Sequence, residues 1–85
     1  EEDAGRWEAA IALYLKGLEA DDLVEPFYQG LMRCHRSLGR DAEAMSVFRR
    51  LRQLLSVVLG IAPAESTQAM ARALQRENPA EFESS

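Results

Sequence analysis

The chain has 85 residues and a mass of 9.5 kDa, a size at which folding hides only about 60 to 65% of the unfolded surface, so it has room for a few packed helices but not for a deep catalytic cavity. A composition that is 47% hydrophobic and 28% charged, with three prolines and five glycines, is that of a globular domain and excludes disordered and collagen-like classes. A net charge of -4 argues against autonomous nucleic-acid binding, which draws its affinity from a basic surface that neutralises phosphate.

Ala, Leu, Glu, Arg and Gln dominate and β-branched residues are sparse, so the expected class is all-α with about four helices. The first helix is predicted from about Asp3 to Ala20, with Trp7, Ala10, Ile11, Tyr14 and Leu18 recurring along one face and Leu13 and Leu15 widening the apolar surface. Asp21 and Asp22 offer a stop and a cap. Pro26 suits the first turn of a second helix, where its missing N–H has no partner to lose. The stripe of that helix is Phe27, Leu31, Cys34 and Leu38, with Tyr28, Met32 and His35 alongside, and Gly39 ends it in a left-handed conformation. Asp41 is placed as the N-cap of a third helix carrying Ala44, Val47, Phe48, Leu51, Leu54, Leu55 and Val58, closed by Gly60. Pro63 then opens a fourth helix to about Glu77, with Ala69, Met70, Ala73 and Leu74 inward, and Asn78-Pro79 stops it. The domain spans residues 1–78, and residues 79–85 read as a flexible tail.

Charge is arranged in blocks. Residues 1–25 carry eight acidic and two basic side chains, residues 26–60 carry six arginines against Asp41 and Glu43, and residues 61–85 carry four acidic and two basic. The resulting segment charges of -6, +4 and -2 are best read as an acidic first helix attracting an arginine-bearing middle within one fold. A single cysteine cannot form an internal disulfide and fits a reduced, cytoplasmic setting. The longest apolar runs, such as Leu54 to Leu59, fall far short of the ~20 residues of a membrane span.

Nothing points to catalysis. Cys34 and His35 are neighbours on a helix, about 100° apart around its axis, and so do not face each other as nucleophile and base. There is no second histidine or cysteine and no glycine-rich phosphate loop, so neither a zinc site nor a nucleotide cofactor is expected, and the expected cofactor set is empty.

Sliding the sequence against itself by 34 residues sets Gly5-Arg6 on Gly39-Arg40, Ala10 on Ala44, Ile11 on Met45 and Tyr14 on Phe48. This is the tetratricopeptide period, and it matches the glycine turn, the small residue at a close helix approach and the aromatic one turn later. The run Glu25 to Arg33, then Leu38-Gly39-Arg40-Asp41-Ala42-Glu43-Ala44, Phe48-Arg49-Arg50-Leu51-Arg52, Leu59-Gly60-Ile61-Ala62-Pro63 and Ser66-Thr67 resembles the bacterial transcriptional activation domain, a tetratricopeptide-like family, over about residues 5–74. Met45 stands where leucine is usual, which is harmless.

The resemblance implies a protein-interaction and self-association module of a transcriptional regulator. It also implies that DNA is reached only through a winged-helix domain absent from this chain. The alternative is a general tetratricopeptide scaffold unconnected with transcription. The apolar breadth of residues 7–18 exceeds what one neighbour covers, so the chain is expected to be a fragment of a larger regulator or to form a homodimer. Partner contacts are expected at Trp7 and Leu13, and at Gln29, Arg33 and Arg36 on the side of the second helix opposite its apolar stripe.

Overall fold

The computed structural model describes the backbone of residues 2–77 and the side chains of residues 5–76; the expected tail lies outside the described residues. Helices α1 (Glu2–Ala20), α2 (Glu25–Ser37), α3 (Asp41–Leu54) and α4 (Glu65–Glu77) follow in order, with a π-helical turn, Leu55–Leu59, extending α3. No strand occurs among the described residues, and the all-α expectation holds.

Each connection is short because the ends close on local bonds. The Asp21 side chain accepts the Leu23 N–H at 3.0 Å, and the Tyr28 hydroxyl donates to the Asp22 carbonyl at 2.8 Å. Asp22 therefore acts through its backbone, and Val24 occupies the N-cap of α2. At the other end of α2, Gly39 is left-handed (φ 76°), the Arg40 N–H reaches the His35 carbonyl at 2.7 Å and the Gly39 N–H reaches the Arg36 carbonyl at 3.0 Å. This pair of bonds is the Schellman closure that glycine permits.

Three expectations on boundaries need correction. Asp41 is the first residue of α3 and not its cap: the Schellman turn delivers the chain so that the Arg40 carbonyl accepts the Ala44 N–H and closes the first turn. The α3 stripe stops short of Val58, which is 54% exposed. The π turn widens the helix from Leu55 onward, so the 3.6-residue register that buried Leu51 no longer applies, and Gly60 (φ 68°) ends the segment. Helix α4 starts at Glu65, two residues after Pro63, and its inward face is Thr67, Met70, Ala71 and Leu74, with Ala69 exposed. The face is rotated because Thr67, a polar residue, is held inside by hydrogen bonds described below.

Helix α2 is the central element. Its Leu31 and Cys34 pack on Ile11 of α1, its Tyr28 packs on Leu51 and Leu55, and its Met32 joins Ala44, Met45 and Phe48 of α3 with Ala71 and Leu74 of α4. Val47, half-buried, packs against all three groups. Between α1 and α2 the contact is closer than side chains normally allow. Gly30 faces the Tyr14 ring, Gly17 faces the Phe27 ring, and the two rings lie 5.9 Å apart, tilted by 50°.

Ala10 and Ala44, matched by the 34-residue offset, are unequally enclosed: Ala44 is fully buried, whereas Ala10 is half-buried beside Ile11. Ala44→Leu is therefore expected to overpack the α2–α3–α4 core and cost about 1 to 3 kcal/mol. Ala10→Leu is expected to cost no more than about 0.5 kcal/mol, as at a partly open surface. Urea titration of the two variants compares them directly, and equal losses would contradict the asymmetry.

Candidate interaction surfaces

The residues expected at partner contacts do not form one surface. Trp7 is half-buried against the Ile11, Leu31 and Cys34 group, while Leu13 is 72% exposed on the outer side of α1. Arg33 and Arg36 are exposed on α2, with Arg36 engaged in an interaction of its own. Gln29 departs from the expectation. Its Nε2 donates to Thr67 Oγ1 at 2.6 Å and to Ser66 Oγ at 3.0 Å, so its amide is turned toward α4 and committed within the fold.

Gln29 belongs to a clamp that residue-by-residue reading missed. Glu25 Oε2 accepts the Thr67 hydroxyl at 2.6 Å and the Ala64 N–H at 2.8 Å, which supplies the head of α4 with an acceptor borrowed from α2. Thr67 thus both donates and accepts, which is why it can be fully buried. The available signal was the pairing of Glu25 with Ser66-Thr67 within the same family-like run; apolar periodicity alone cannot rank a threonine as core.

The attraction expected between the acidic first helix and the basic middle is present. Arg40 binds the Glu8 carboxylate across the α1 and α3 ends, and Glu43 lies 3.8 Å from both Arg40 Nε and His35 Nδ1. His35 Nδ1 is buried without a hydrogen-bond partner, although the side chain as a whole is 14% exposed.

A groove of about 430 Å3 opens on the opposite end of the helix layer. Helices α1 and α3 both pack mainly on α2. They run in the same direction, since Glu8 meets Arg40 near their starts and Leu18 packs against the group of Tyr28, Leu51 and Leu55 near their ends. Leu15 and Leu18 form one wall, Val47 and Arg50 the other, and Tyr28 and Leu31 the floor, with Glu19 and Asp22 at the α1 lip.

Two buried ionisable groups couple the fold to alkaline pH. Burial raises the Cys34 thiol above its ordinary 9.0, against a lowering effect of Arg33. Burial also raises the Tyr28 hydroxyl above its ordinary 10.0, with Arg50 opposing and Asp22 reinforcing. In both cases the folded state holds the proton more tightly than the unfolded chain. Their contribution is therefore complete at neutral pH and is lost as pH rises past the unfolded values and through the folded ones. Denaturation midpoints are expected to be flat from about pH 6 to 8 and to fall above about pH 9, with Cys34→Ala removing the earlier part of the fall. A thiol reagent at neutral pH should label Cys34 slowly until denaturant is added.

Among the described residues no group of three His, Cys, Asp or Glu side chains is placed to hold a metal ion, and no helix is long and apolar enough to cross a membrane. Helices layered on a central α2, with Gly39 and Gly60 closing the ends of α2 and of the π turn, define an all-α, repeat-like helical domain. Residues 1–75 match the bacterial transcriptional activator domain, and the chain belongs to that family. No curated protein and no solved structure matches it.

Proposed function

We propose that this domain serves a bacterial transcriptional regulator as a tetratricopeptide-like module for protein contact and self-association in the cytoplasm. It does no catalysis, and DNA is bound by another part of the regulator. The observation that carries the reading is family membership over residues 1–75, and the outer face of α1, where Leu13 is 72% exposed, supports it. Exposed Ala9 and Ala20 lie on the same side of the helix as Leu13 at helical spacing, so a partner can approach closely there. Net charge of -4 and the Glu8–Arg40 pairing support the absence of DNA affinity, because arginines engaged with carboxylates are less available to phosphate.

Sedimentation velocity on the chain between 1 and 100 μM, concentrations spanning typical weak dimer affinities, tests self-association. A concentration-dependent dimer that Leu13→Lys weakens without lowering the thermal midpoint is the expected result. Salt-sensitive micromolar binding of a fluorescent DNA duplex by the chain alone would overturn the assignment of DNA contact elsewhere.

A further inference from the structure

The groove between α1 and α3 is distinct from the Leu13 face. Leu13 and Leu15 are two residues apart on one helix, hence about 200° apart around its axis, so one points away from the groove that the other lines. Leu15 is 52% exposed although it faces Leu18, Tyr28 and Val47. Two parallel helices splayed over a third leave a trough whose shape accepts the ridge of another helix. The chemistry of the lips says which helix. Glu19 and Asp22 are exposed on the α1 side and form no ion pair among the described residues, while Arg50 stands on the α3 side.

We propose that this trough receives an amphipathic helix of a partner protein, seated by aliphatic side chains against Leu15, Leu18 and Val47 and oriented by a basic residue against Glu19 and Asp22. The inference rests on the reading that the domain works through protein contacts, and it names the surface and the partner's chemistry. A second copy docking through its own α1 would fit the lip poorly, since the first 25 residues carry a charge of -6 and would bring like charge to Glu19 and Asp22. Tyr28 favours an ordered, dry floor: its hydroxyl is already satisfied by the Asp22 carbonyl, so covering it strands no donor.

The test uses the 85-residue chain and a fluorescein-labelled 14-residue peptide with leucines at i, i+4, i+7 and i+11 and lysines on the flanks, followed by anisotropy. Saturable binding with Kd on the order of 10 μM is expected. Leu15→Lys should weaken it about tenfold or more, and Leu15→Gln, a milder change at an exposed position, should weaken it in the same direction. The Glu19→Lys/Asp22→Lys variant should lose the lysine peptide and gain a glutamate version. Leu13→Lys should leave both unchanged. Equal binding of a peptide with scrambled leucines, or unchanged binding by Leu15→Lys, would overturn the proposal. Loss of binding in Leu13→Lys alone would move the contact to the outer face of α1, leaving the protein-contact reading intact while removing the groove. A dimer that dissociates in Leu15→Lys would make the occupant a second copy and equally overturn the partner helix.

Discussion

Gly30→Ala is expected to destabilise the chain by about 1 to 3 kcal/mol, although alanine is the better helix former by about 1 kcal/mol. A Cβ at Gly30 would stand 2.3 Å from Tyr14 Cζ and 2.6 and 2.7 Å from its two Cε atoms, so it meets the ring and not the tip of a flexible chain. The ring has little room to retreat. Phe27 lies 5.9 Å away and is itself seated over Gly17, where a Cβ would stand 2.6 Å from Phe27 Cε2. Relief therefore requires α1 and α2 to separate, which loosens Ile11 from Leu31 and Cys34. The control is the same substitution in a Tyr14→Ala background. With the ring gone, the added methyl finds space and only the propensity gain remains, so Gly30→Ala should there stabilise by up to about 1 kcal/mol. Urea titration of the four variants gives the coupling. A stabilising effect of Gly30→Ala in the presence of Tyr14 would show that the two helices are not locked at this approach.

The glycine pair also shows where the sequence is legible and where it is not. Apolar spacing locates all four helices and most of the core, because Ile11, Leu31, Ala44, Phe48, Leu51 and Leu74 obey a helical period with nothing competing. Gly39 and Gly60 end helices as expected because their left-handed backbones serve a purely local closure. Gly17 and Gly30, in contrast, lie within helices, where the sequence records only a weak helix former. Their reason for being glycine is a ring on another helix, which no local pattern contains. The same limit explains Val58 and Thr67. The first leaves the core because the backbone widens at Leu55, and the second enters it because Glu25 and Gln29, about forty residues earlier, satisfy its hydroxyl. Of the expected contact residues, Gln29 changed place for this reason, and the groove went unread because it forms only when α1 and α3 come to rest on α2.

Leu74→Ala should cost about 2 to 5 kcal/mol, the range for a buried leucine that leaves a cavity. Against the roughly 4 to 13 kcal/mol that 85 residues typically hold, this is a large fraction. Leu74 is 1% exposed and fills the group formed by Met32, Ala44, Met45, Phe48 and Ala71. Among the described residues, helix α4 is fastened by this apolar contact and by the Glu25, Gln29 and Thr67 clamp at its head. Glu25→Gln weakens the second fastening, since a neutral amide accepts less strongly from Thr67 and the Ala64 N–H than a carboxylate does, and is expected to cost about 1 to 2 kcal/mol. The two losses should not add. Once Leu74→Ala lets α4 leave its seat, the clamp is already open, and the second substitution removes little more. Hydrogen exchange distinguishes this from global weakening: amides of α4 should lose protection first, while those around Leu31 and Leu51 keep theirs. Additive losses with uniform loss of protection would instead mean that α4 and the first three helices form a single cooperative unit, with the π turn and the Gly60 connection too short to let the last helix open alone.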